Sequence, residues 1–107
     1  MGNLYKANEM ETIEPLEFKM TKTDKHLEIC RQLNNIYKQK NADYGDSFGQ
    51  QYQEYGIISS AIRLEDKMKR FKQLIKNEAQ VKDESIEDTL LDMANYAIMT
   101  VIEMRNK

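Results

Sequence analysis

The sequence predicts an all-α fold, an antiparallel helical bundle, and three observations carry that reading. The stretches Ile57 to Ile75 and Ile86 to Met104 both repeat apolar residues at helical spacing. A third stretch, from Leu27 to Tyr37, repeats them through Leu27, Ile29 or Cys30, Leu33, and Ile36 or Tyr37. The connector between the two long patterns is short and polar, which makes its neighbours antiparallel, and no strand is needed to account for the chain.

Composition bounds what such a bundle can be. A chain of 107 residues has room for one domain, and 40% hydrophobic against 32% charged residues suits a soluble globular protein. A net charge of −2 gives no overall pull toward nucleic acid or membranes, so no direct nucleic-acid binding is expected. Cys30 is the single cysteine, which removes an internal disulfide or a cysteine metal cluster and fits a reducing, cytoplasmic setting. His26 is also single, so no site built on two histidines is available. No apolar signal core or membrane-length apolar run is present.

In chain order, residues 1–22 read as an arm or flexible tail. They are punctuated by Glu9, Glu11, Glu14 and Glu17 and interrupted by Pro15. The single all-α domain is expected over 23–107. Thr23 or Asp24 offers a cap for the first helix, which should end near Lys40, with His26 and Cys30 read as packing residues. The run from Lys40 to Gln50 is a shaped loop. Gly45 can take positive φ, Asp46 or Ser47 can cap a following turn, and Gln50 stands three beyond Ser47. A short helix from about Ser47 to Tyr55 then precedes Gly56, or joins the next helix through a glycine kink.

The long helix from Ile57 should run to about Asn77. Its stripe is Ile57, Ala61, Leu64, Met68, Phe71 and Ile75, widened by Ile58 and Ile62. After Glu78 to Glu84, Ser85 is a credible cap with Asp88 three residues later. The last helix carries Ile86, Leu90, Met93, Ala97, Val101 and Met104 on one stripe, broadened by Leu91, Ala94, Ile98 and Ile102. These arcs are wider than a single small domain can cover, so assembly into a dimer or tetramer is expected to complete the bundle. The methionines read as core filling.

Charges at the arcs are the functional signal. Glu65 and Glu87 fall inside the apolar arcs, and Asp88, Asp92 and Asn95 line an edge of the second. A carboxylate entering a packed face is ordinarily paired, protonated or metal-bound. Asp88 and Asp92, four apart, could join Glu65 to hold one or two Mg²⁺ ions against a triphosphate, with Glu65 or Glu87 taking a proton from an attacking water. The alternative is that these acids pair with Arg63, Lys67, Lys69 or Arg70 and fix helix register. Arg63, Asp66, Lys67 and Arg70 form an exposed ion-pair ladder, a salt link to neighbouring acids, or a phosphate grip. Tyr44, Phe48, Tyr52 and Tyr55 close the bundle end, or Tyr44 or Phe48 stacks on a base while Asp43 or Lys40 contacts sugar or phosphate.

Three ordered blocks resemble a known family. Lys40-Asn41-Ala42-Asp43-Tyr44-Gly45-Asp46-Ser47-Phe48, then Ile62-Arg63-Leu64-Glu65-Asp66-Lys67 with Arg70, then Glu87 through Ala97 closely resemble the phage and bacterial nucleotide modification associated domain one. That family is in turn similar to the MazG-like all-α nucleoside triphosphate pyrophosphohydrolases. The resemblance implies a MazG-like bundle in which Glu65, Asp66 and Asp92 are metal ligands for Mg²⁺, or Mn²⁺ in its place, and Asp88, one residue before the position of the motif's second-helix glutamate, joins them by its spacing from Asp92. The charge pattern itself offers Glu65 or Glu87 as the catalytic base, and Lys40, Asp43, Tyr44, Phe48, Arg63, Lys67, Arg70 and Asn95 as the candidate substrate contacts. The substrate would be a nucleoside triphosphate or modified deoxynucleotide, cleaved to monophosphate and pyrophosphate. Two positions depart from the MazG-like pattern: Lys69 stands where a third glutamate is found, and Thr89 where the second helix carries its glutamate. The alternative function is a non-catalytic helical adaptor or regulatory protein in phage or bacterial nucleotide metabolism.

Overall fold

The computed structural model describes residues 19–77 and 85–106, so most of the expected arm and the Glu78 to Glu84 connector lie outside the described residues. Four helices follow in order: α1 (Lys22–Tyr44), α2 (Ser47–Tyr55), α3 (Ile57–Lys76) and α4 (Ile86–Arg105). The fold is all-α, and no strand occurs among the described residues. None of the described helices is long and apolar enough to cross a membrane. The chain divides into two units, Met1–Arg31 and Gln32–Lys107.

In the first unit, α1 is started by a reciprocal box. The Asp24 N–H donates to Thr21 Oγ1 at 3.1 Å, and the Thr21 N–H donates to Asp24 Oδ2 at 3.0 Å. The cap is thus Thr21, two residues before the expected Thr23, and Asp24 serves as the box's second member. His26 Nδ1 and Cys30 Sγ meet across one turn at 3.7 Å, and both residues are exposed, contrary to the packing role expected of them.

In the second unit, α1 continues four residues beyond the Lys40 end expected from sequence. Asn41 to Tyr44 keep helical geometry, and the stop comes at Gly45, whose φ of +71° is open to a residue without Cβ. The Gly45 N–H closes the last turn on the Asn41 carbonyl at 2.8 Å. This extension brings Tyr37, Lys40, Asn41 and Tyr44 onto one helix face.

Asp46 caps α2 by accepting from the Gly49 N–H at 3.0 Å. Gly49 is required there, since a Cβ at that position would run into the Asp46 carboxylate. Gly56, at φ +78° and ψ −167°, separates α2 from α3 in a backbone region that is essentially glycine's own. Ser85 caps α4 as expected, accepting from the Asp88 N–H at 2.9 Å.

The cross-contacts show that α3 and α4 are antiparallel. Arg63 meets Tyr96, while four residues further along α3, Lys67 meets Asp92, four residues back along α4. These two helices make the most extensive packing, and α2 lies against both. The buried apolar residues among those described are Leu33, Phe48 and Leu74, joined by the buried polar residues Ser59, Ser60, Thr89 and Asn95. Much of the expected stripe is open in the single chain. Ile57 and Ile75 are exposed, and so are the broadening residues Ile58, Ile62, Ile98 and Ile102, at 58%, 52%, 47% and 47%.

Candidate functional site

A cavity of about 300 Å³ opens where α1, the start of α2, α3 and α4 come together. Two helices supply most of its walls through the same register. From α1 come Tyr37, Lys40, Asn41 and Tyr44, and from α4 come Asp92, Asn95, Tyr96 and Met99. Each set follows the i, i+3, i+4, i+7 spacing of a single helix face. Gly45, Asp46, Ser47 and Phe48 form one end, and Arg63 enters from α3.

The walls are tied together by polar side chains. Asn95, 9% exposed, donates from Nδ2 to the Leu33 carbonyl at 3.1 Å and so fixes α4 to α1. Asp92 makes a fork: Oδ2 lies 2.9 Å from Lys67 Nζ on α3, and Oδ1 lies 3.3 Å from Lys40 Nζ on α1. The two arms differ in environment. The Lys67 and Asp92 side chains are both 23% exposed, whereas that of Lys40 is 59% exposed and reaches Asp92 from the solvent side. The first arm is correspondingly the less screened of the two.

Arg63 is treated differently. Its guanidinium lies 5.2 Å from the Phe48 ring centre and 5.6 Å from that of Tyr96, within cation–π range of both. The two rings are themselves stacked, 5.9 Å apart at 15°. Its Nε donates to Gln51 Oε1 at 2.8 Å, and no carboxylate among the described residues pairs with it. A half-buried guanidinium held by two rings and one neutral amide keeps its Nη donors for something else.

The structure brings together Lys40, Tyr44, Phe48, Arg63, Asp92 and Asn95 of the residues singled out from sequence. Phe48 is 5% exposed and engaged by Arg63 and Tyr96, so it builds the wall, while Tyr44, 75% exposed, is the ring presented at the lip. Lys67 reaches the cavity only through Asp92. Asp43 lies outside the lining and accepts from Gln39 at 3.4 Å, and Arg70 is exposed elsewhere on α3. Glu65, Asp66, Glu87 and Asp88 are likewise outside it, and all four are exposed in the single chain. For Glu65 and Glu87 this corrects the inward orientation expected from their place in the apolar arcs.

Among the described residues, no three His, Cys, Asp or Glu side chains are grouped so as to hold a metal ion. Asp92 comes closest to the role by position, and its two oxygens are engaged by lysines. The described donor set therefore does not fit the magnesium site that the resemblance implied. Sequence reasoning missed Tyr37, Asn41, Tyr96 and Met99. Their spacing from Lys40 and Asp92 is the signal that could have found them.

The sequence model of the family described as nucleotide modification associated domain 1 matches residues 40–104. The chain belongs to that family. No curated protein and no solved structure matches it. The span shared with nucleotide modification associated domain 1 begins at Lys40 and contains every lining residue of the cavity except Tyr37.

Proposed function

We propose that the chain is a nucleotide-binding domain and that the cavity between α1, α3 and α4 receives the nucleotide. The observation that supports this most directly is Arg63, a half-buried cation in the cavity wall with no carboxylate partner among the described residues. A half-buried charge held only by neutral groups among the described residues gains from a counter-charge, so an anion that enters and accepts its Nη donors has a site prepared for it. Lys40, whose contact with Asp92 is made from the solvent side, can turn to the same anion. Tyr44 at the lip offers a face on which a base can stack, and Asn95 retains its carbonyl oxygen as an acceptor. Membership of nucleotide modification associated domain 1 favours a nucleotide over other anions of similar size.

Binding is proposed in preference to the metal-dependent hydrolysis that the MazG-like resemblance implied, because the expected ligands Glu65, Asp66 and Asp88 are exposed outside the cavity and Asp92 is paired. The domain would act as at least a dimer, with Ile58, Ile62, Ile98 and Ile102 covered by a second copy. Isothermal titration of the full chain with the canonical deoxynucleotides tests the reading. Binding should be weakened about tenfold by Arg63→Lys, which keeps the charge and loses the planar fork. If neither mono- nor triphosphates bind at millimolar concentration, the proposal fails. A turnover of triphosphate to pyrophosphate with Mg²⁺ would instead establish the hydrolytic reading.

A further inference from the structure

We infer that the cavity takes a nucleoside monophosphate and holds its phosphate without a divalent cation. This rests on the nucleotide-binding reading above and adds the phosphorylation state and the metal independence. The first argument is charge. The lining carries two cations, Lys40 and Arg63, against two carboxylates, Asp46 and Asp92. Asp46 is committed to the α2 cap, and Asp92 is shared between Lys40 and Lys67. Arg63 is therefore the lining cation that no carboxylate among the described residues balances.

A single phosphate monoester carries about −1.5 to −2 charge at neutral pH, which a guanidinium fork and one mobile lysine can answer. Each further phosphoryl group adds negative charge beside Asp46 and Asp92, where the lining has no more cations to offer. Polyphosphates are ordinarily neutralised by a bound Mg²⁺, which needs carboxylate or water oxygens at the phosphates. The two lining acids are already engaged, Asp46 by the α2 cap and Asp92 by the two lysines.

The second argument is space. About 300 Å³ is at the lower end of the range of small-molecule sites, roughly 300–1,000 Å³. Tyr44 at one edge and Arg63 on the α3 side bound a space suited to a base, a sugar and one phosphate.

The experiment is isothermal titration of the full chain with the four deoxynucleoside 5′-monophosphates, their triphosphates and the parent nucleosides, each in EDTA and in millimolar Mg²⁺. The expected result is that at least one monophosphate binds about tenfold or more tighter than its triphosphate and its nucleoside in EDTA, with Mg²⁺ changing that affinity less than about twofold. Arg63→Lys should remove most of the difference between monophosphate and nucleoside, and circular dichroism of the variant verifies that its helices are intact. Triphosphate binding tighter than monophosphate, or monophosphate binding that requires Mg²⁺, overturns the inference while leaving nucleotide binding in place. Equal affinity for nucleoside and monophosphate overturns it too. Binding of none of these ligands defeats the nucleotide-binding reading itself.

Discussion

Replacing Asp92 by Asn separates a structural carboxylate from a metal ligand. The side chain keeps its shape, but Lys67 and Lys40 lose a counter-charge at 2.9 and 3.3 Å. The two losses are unequal. Exposed pairs contribute about 0–1 kcal/mol, and Lys40, at 59% exposure, belongs at the low end of that range. Breaking a fully buried pair costs about 3–5 kcal/mol, and the Lys67 arm, with both partners 23% exposed, falls between these limits. The retained amide oxygen can still accept a hydrogen bond. Together these give an expected destabilisation of about 1–3 kcal/mol, which for a domain of this size is a fall in Tm of about 5–15 °C. Thermal unfolding at fixed protomer concentration, with and without millimolar Mg²⁺, is the assay, since association shifts the midpoint by mass action. Mg²⁺ should move neither midpoint appreciably. A variant as stable as the parent, together with a parent that Mg²⁺ stabilises and a variant that it does not, would refute the ion-pair reasoning and make Asp92 a metal ligand.

Three further outcomes follow from the helix ends, the core and the open face. Asp46→Ala should cost about 1 kcal/mol by removing the α2 cap, and Gly49→Ala at least as much by driving a Cβ into that carboxylate. The double substitution should cost clearly less than the sum in urea unfolding, and simple additivity would contradict the steric account. Ser60, 1% exposed with its hydroxyl lacking a partner among the described residues, should accept alanine with no loss or a gain of up to about 1 kcal/mol. A loss in urea midpoint equivalent to more than about 1 kcal/mol would mean that the hydroxyl is satisfied. Ile62→Glu combined with Ile98→Glu should shift sedimentation at micromolar concentration from oligomer to monomer, whereas a parent chain that already sediments as a monomer removes the proposed second copy.

The helices were legible in the sequence because their signals are local. Apolar spacing, Ser85 before Ile86, and the glycines at 45 and 56 all act within a turn or two of themselves. The end of α1 was misplaced for the same reason: polar residues from Lys40 to Asp43 look like a loop, yet none breaks a helix, and Gly45 is the first that does. Burial was less legible. An angular pattern tells which residues share a face and cannot tell whether another element covers it. Glu65 and Glu87 lie in the apolar arcs and are exposed because no other described element covers that part of them. The site was half legible. Lys40, Tyr44, Arg63, Asp92 and Asn95 stood out by charge or position, but Tyr37 and Met99 read as packing residues and Tyr96 carried no role until α1 and α4 were set beside each other.

The partition of charges around the cavity also has a physical logic. An ammonium is compact and strongly hydrated, so a lysine brought toward the interior needs a carboxylate close by, and Lys67 has one at 2.9 Å. A guanidinium is weakly hydrated and planar, and aromatic faces with one amide can hold it half-buried. Phe48, Tyr96 and Gln51 do this for Arg63. With Asp92 drawn to the lysines, no carboxylate among the described residues quenches the arginine's outer donors. Arg63→Lys should therefore do more than remove a fork. A lysine at that position would compete for Asp92 or draw in water, and the cavity would lose the one cation that its own walls do not neutralise.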